Sequence, residues 1–197
     1  MVSLTANEAR TMDFLIRNFS IDYNINQLAR ALGISPGGMF KILRKLGKQG
    51  FLAEKKAGNN VFYKINYGSS DALDASKFAM AEKALTPYVR VWVKDLEPVI
   101  EQTDIALLFG SVLNKGREAG DIDILLVFDR KTLKNVEGAI EKLSRIKPKK
   151  VHAVYQTKDD LIENIKNRDK AILEEIRTGV ILKGRDLLVE AIKHGQS

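Results

Sequence analysis

Ile105-Ala106-Leu107-Leu108-Phe109-Gly110-Ser111, then nine residues, then Asp121-Ile122-Asp123-Ile124-Leu125-Leu126-Val127: the reading of the chain turns on these two runs. Each has the length and composition of a buried strand, with its polar residues gathered at one end. Residues at i and i+2 of a strand share a face, so the carboxylates of Asp121 and Asp123 converge on one point. Two such charges are best tolerated with a divalent cation between them, and an oxygen-rich cluster suits Mg²⁺. Gly110 lets the chain turn and come close to a ligand, while Ser111, at a helix start, offers its hydroxyl and neighbouring N–H groups to phosphate oxygens.

Gly110-Ser111 and Asp121-x-Asp123 at this spacing are joined by Gly116 in the intervening loop and by Gly179-Val180-Ile181-Leu182-Lys183-Gly184, a short strand before the last helix. The whole pattern resembles the nucleotidyltransferase superfamily related to DNA polymerase beta, and within it the small minimal nucleotidyltransferases. The resemblance spans roughly the last half of the chain. It implies Gly110, Ser111 and Gly116 around the triphosphate of an NTP, with Asp121 and Asp123 as catalytic residues and ligands of Mg²⁺ or Mn²⁺.

One part of the family pattern differs. The family places a third carboxylate on the next strand, where it binds the metal that activates the attacking hydroxyl or acts as the base; here the segment is Val151-His152-Ala153-Val154. His152 therefore joins the catalytic set in place of an aspartate, and the change falls on chemistry more than on nucleotide binding. An imidazole suits Zn²⁺ or Mn²⁺ better than Mg²⁺. Asp159 and Asp160 follow the same strand as substitute carboxylates, although Thr157-Lys158-Asp159-Asp160 also reads as a helix start, with Thr157 as N-cap and acids in the first turn.

The chain has 197 residues and a net charge of +7, and six of those seven positive charges lie within residues 1–67, where ten basic side chains face four acidic ones. A polyanion is the expected partner of that third alone. Cysteine is absent, which excludes disulfides and thiolate metal sites and fits a reducing cytosol. No apolar run approaches the roughly 20 residues of a membrane helix, and Met1 to Arg10 lacks a signal-peptide core, so a cytoplasmic protein with no membrane partner is expected.

Thr5-Ala6-Asn7-Glu8 is a capping box, followed by the apolar stripe Met12, Leu15, Ile16 and Phe19. A second helix near residues 26–32 ends at Gly33, and Ser35-Pro36 starts a third. Ala53 to Tyr67 reads as a hairpin turning at Gly58-Asn59-Asn60. This order resembles the winged helix-turn-helix of ArsR and MarR regulators, which implies a third helix in the major groove of double-stranded DNA and a wing on its backbone. The expected contacts are Gly38, Phe40, Lys41, Arg44 and Lys45 on that helix, with Lys55 and Lys56 on the wing. Lys41 has the chemistry to read a guanine edge; Arg44, Lys45, Lys55 and Lys56 have that of phosphate contacts.

Residues 69–102 are helical by pattern, and Ala81, Leu85, Tyr88, Trp92, Leu96 and Val99 form a stripe that needs either the adjoining sheet or a second subunit. Pro98 is expected to kink or restart the helix. Arg145, Lys147, Lys149 and Lys150 form a basic loop open to a triphosphate or nucleic acid. The expected fold is α+β: a winged helix-turn-helix at 1–67, a helical connector at 68–103, and a polymerase-beta-like α/β domain with a small mixed sheet at 104–197. The expected function is that of a prokaryotic transcriptional regulator with an NTP- and Mg²⁺-binding domain that carries two of the three expected catalytic carboxylates, which leaves its activity open. The alternative is an active nucleotidyltransferase whose acceptor is a protein or small-molecule hydroxyl.

Overall fold

Thr5 begins the first helix because its hydroxyl accepts from the Glu8 N–H while the Glu8 carboxylate accepts from the Thr5 N–H. The computed structural model describes residues 3–80 and 85–196. The chain divides between residues 81 and 82 into two compact units.

In the first unit, α1 (Ala6–Arg17), α2 (Ile25–Leu32) and α3 (Pro36–Lys48) enclose Met12, Ile16, Leu28, Met39, Leu43 and Leu46, all fully buried. Gly33 closes α2 with φ 65°, a left-handed conformation that costs glycine little. A strand of two residues, β1 (Tyr23–Asn24), pairs with the hairpin of β2 (Leu52–Ala57) and β3 (Asn60–Ile65), giving an antiparallel sheet in the order β1-β3-β2. The hairpin turn is Gly58-Asn59, one residue shorter than expected, because Asn60 already pairs with Ala57. Ala72, Ala75 and Ala79 of α4 (Ser70–Ala79) are buried, and their small side chains let α4 pack closely on α1.

The second unit contains α5 (Pro87–Ile100), β4 (Ile105–Phe109), α6 (Val112–Lys115), β5 (Ile122–Val127), α7 (Leu133–Ile146), β6 (Val151–Gln156), α8 (Lys158–Lys166), α9 (Lys170–Thr178), β7 (Val180–Lys183) and α10 (Arg185–Gln196). The sheet order is β6-β5-β4-β7, with β5 and β6 parallel and the other pairs antiparallel. Both faces are covered, as the continuous apolar strands require. On one face Trp92, Leu96 and Val99 of α5 join Ile140 and Leu143 of α7 over Leu108, Ile122, Ile124 and Leu126. The alternate residues Ile105, Leu107, Leu125 and Val127 are buried on the other, where α9 and α10 reach β4 and α8 reaches β6.

The two helices expected of a connector are thus divided, α4 with the first unit and α5 with the second. The α5 stripe covers the sheet of its own unit; its first member, Ala81, lies outside the described residues. Pro98 falls in the last turn of α5, and the helix continues to Ile100 without restarting. Among the described residues no helix is long and apolar enough to cross a membrane.

Candidate functional site

Asp121 and Asp123 lie at the leading end of β5; the parallel register with β6 puts Asp123 opposite His152, and the antiparallel register with β4 puts it opposite Phe109. His152 Nδ1 stands 3.2 Å from Asp121 Oδ2 and 3.7 Å from Asp123 Oδ1. One ligand atom from each of the three lies within 4.8 Å of the others, a spacing that a single cation can span. The Asp123 carboxyl is pushed above its ordinary pKa by burial and then by Asp121, with His152 acting against both. The donor set of two oxygens and one nitrogen therefore fits a divalent cation, with a softer preference than an all-carboxylate site.

Gly110 explains how β4 approaches this pair. Its φ is +79°, and a Cβ there would meet Asp123 Oδ2 at 2.1 Å, so only glycine fits beside the carboxylate. Ser111 follows as the cap of α6 with its hydroxyl unused by the helix, and Gly116 ends that short helix with φ 55°. The family described as "Nucleotidyltransferase domain" matches residues 93–178, from the middle of α5 to the end of α9. The C-terminal half carries a nucleotidyltransferase domain. No curated protein matches the chain. Among solved structures, a mutant of Lactococcus lactis ZitR is similar at 22% identity with a TM-score of 0.34, covering 52% of this chain and 65% of that one, just under two thirds of its length.

Within the nucleotidyltransferase domain several expected residues have other duties. Asp159 and Asp160 lie beyond the trailing end of β6, whereas Asp121, Asp123 and His152 gather at the leading ends of β5 and β6. At about 3.3 Å per residue, the four steps of β6 beyond His152 put about 13 Å of strand between the two groups. Asp160 instead completes a capping box with Thr157, so neither acid substitutes for a third carboxylate. In the basic loop, Arg145 pairs with Glu141 at 2.6 Å and Lys147 with Asp95 at 2.6 Å. Lys149 donates to the carbonyls of Arg117 and Ala119 and ties down the loop that follows α6. Lys147 and Lys149 are thus engaged within the fold, whereas Arg145, 74% exposed in its surface pair, and the exposed Lys150 stay open to solvent.

A cavity of about 770 Å³ opens beside Gly110 and Ser111, walled on the other side by α9. Glu175 borders it. This residue is 8% exposed, and its Oε2 is buried without a hydrogen-bond partner. Burial, then Asp169 and Asp123, push its carboxyl up to about 7. The sequence held a signal for it: Glu175 falls on the same helical stripe as Ile172 and Ile176, where an apolar residue belongs.

In the first unit, α3 exposes Phe40, Lys41, Arg44 and Lys45, and the hairpin exposes Lys55 and Lys56. Phe40 is 52% exposed and does not turn into the core. Gly38 is half-buried, with its N–H taken by the Ser35 hydroxyl that caps α3. Lys45 lies 2.8 Å from the buried Glu8, and Lys55 and Lys64 both pair with Asp22. Lys41, Arg44 and Lys56 have no ion-pair partner among the described residues.

Proposed function

We propose that this chain is a DNA-binding transcriptional regulator whose nucleotidyltransferase domain binds a nucleoside triphosphate together with Mg²⁺ or Mn²⁺. The observation that carries the nucleotide half is the convergence of Asp121, Asp123 and His152 within 4.8 Å, with Gly110 and Ser111 adjoining. Asp121 and Asp123 would hold the cation and His152 would complete its donor set. The cation supplies charge neutralisation for the phosphates; Gly110, Ser111 and Gly116 shape the backbone and hydroxyl surface they meet. Melting curves with Mn²⁺ and ATP test this. A ligand at 100 times its Kd stabilises by about 2.7 kcal/mol, and that gain is expected in the wild type and lost in Asp121→Asn and Asp123→Asn. Equal shifts in all three proteins would remove the site.

The DNA half is supported by a three-helix unit with an antiparallel hairpin and by its excess of positive charge. We read it as a winged helix, α3 entering the major groove and the hairpin of β2 and β3 lying on the backbone. Of the expected contacts, Lys41, Arg44 and Lys56 have no ion pair among the described residues and can meet DNA directly; Lys45 and Lys55 must first leave Glu8 and Asp22. In gel shifts of the full chain over a salt series, Lys56→Ala should weaken all sequences alike and lower the slope of log affinity against log salt by about one. Lys41→Ala should instead relax sequence preference. Absence of any binding at low salt would end this reading.

A second reading is favoured by His152 standing in ligating reach of both aspartates. With that third donor in place, the domain would be an active transferase. An acceptor hydroxyl, on a protein or a small molecule, would bond to the α-phosphorus while the bond to pyrophosphate breaks. Transfer from labelled ATP that disappears in Asp121→Asn would establish it.

A further inference from the structure

Glu175 is costly as it stands. An ionised carboxylate removed from water without a partner is among the most unfavourable groups in a protein interior. Glu8, the other buried carboxylate, shows the usual solution, with Lys45 and the Thr5 N–H satisfying it. The Glu175 side chain has no hydrogen bond or ion pair among the described residues, and its Oε2 is an orphan.

The setting shows what would satisfy it. The cavity that Glu175 borders is also lined by Gly110, Ser111 and Asn114. Of its other polar walls, Arg177 pairs with Glu174, and the Thr178 hydroxyl donates to the Glu174 carbonyl. Gly110 packs against Asp123 on one side and opens to this cavity on the other, so the cavity adjoins the carboxylate pair directly. An acidic group there is a poor neighbour for phosphate and a good one for a hydroxyl donor. In a nucleoside triphosphate the sugar is bonded to the phosphates and precedes the base, so it is the first hydroxyl-bearing part that such a group meets.

We propose that Glu175 is a ligand-contacting residue of the nucleotidyltransferase domain, its carboxyl group hydrogen-bonding a sugar hydroxyl of the nucleoside triphosphate whose phosphates lie at Gly110 and Ser111. This rests on the reading that the domain binds NTP. It makes the domain selective for nucleotides that carry sugar hydroxyls, a property that the Asp121 and Asp123 cluster alone would not confer.

Binding of ATP and of 2′,3′-dideoxy-ATP to the full chain with Mn²⁺, measured by calorimetry without any acceptor, tests it. The wild type is expected to prefer ATP by about tenfold or more, the worth of one hydrogen bond to a charged group. Glu175→Leu should bind both nucleotides equally, at the level of the dideoxy compound. Glu175→Gln, close in shape and still able to bond a hydroxyl, should retain part of the preference and guards against a folding defect in the leucine variant. Wild-type protein that binds both nucleotides alike, or a preference that survives in Glu175→Leu, overturns the role of Glu175 while leaving nucleotide binding intact. Failure of the wild type to bind either nucleotide overturns both readings. If the orphan oxygen instead serves an acceptor hydroxyl, the two nucleotides bind alike without acceptor, and the proposal fails.

Discussion

Gly110→Ala is expected to destabilise the second unit by about 2–3 kcal/mol and to abolish its stabilisation by Mn²⁺. Two costs combine. A side chain held in the left-handed region costs about 1–2 kcal/mol, and Gly110 has φ +79°. The new methyl would also stand 2.1 Å from Asp123 Oδ2 and 3.0 Å from its Cγ, so the carboxylate must leave its rotamer, at about 0.5–1.5 kcal/mol. Displacing Asp123 takes it away from Asp121 and His152, which is why metal response and stability should fall together. Thermal melting with and without Mn²⁺ reads both. A variant that melts with the wild type and keeps its full Mn²⁺ shift would show that β4 does not position the carboxylate.

Glu175→Gln is expected to make the metal-free protein more stable by about 2 kcal/mol at pH 8, with the gain shrinking steadily as the pH is lowered to 5. In the folded chain the Glu175 carboxyl is pushed up to about 7 by burial and by Asp169 and Asp123, from an ordinary value of 4.5. Between those values the folded state binds more protons than the unfolded state, so stability falls as pH rises. The penalty is complete above about 7 and absent below about 4. Conversion at about 1.4 kcal/mol per pKa unit gives an upper bound, and water in the adjoining cavity screens part of it. Glutamine carries no charge at any pH and escapes the penalty. Denaturant melts of both proteins in EDTA, at pH 5 and pH 8, measure the difference directly. Parallel stability curves would mean that Glu175 finds a partner in solution.

If both results hold, the glutamate that lowers stability is also the one that the nucleotide requires. Such an exchange of stability for binding is common where a polar group is kept ready for a ligand.

Much of this protein could be read from neighbours in the chain. The Thr5 and Thr157 caps and the Ser35-Pro36 helix start depend on contacts within four residues, and each formed where expected. The alternation of Ile122, Ile124 and Leu126 with Asp123 and Leu125 assigns the faces of β5 before any partner strand is known, because a strand repeats every two residues. What local pattern could not supply was the identity of distant partners. Asp159 is close to His152 in sequence, yet a parallel strand carries it to the opposite end of the sheet. Lys45 and Lys55 read as free cations until folding brings Glu8 and Asp22 to them. The two-residue β1 carries too little pattern to announce itself and exists only because β3 lies alongside.

By itself the sequence determined which elements form, which faces they bury, and that Asp121 and Asp123 share one face at the start of β5, since all of these follow from spacings of a few residues. The family resemblance already set His152 beside that pair, and the parallel register of β5 and β6 is what brings it within ligating reach; tertiary structure alone decided that the Glu175 side chain has no partner among the described residues beside Ser111, through the docking of α9 on β4. The physical reason is the same in both cases. Hydrogen-bond register and helix docking bring together residues that are 29 and 64 positions apart in the chain, and no periodicity within either element encodes that meeting.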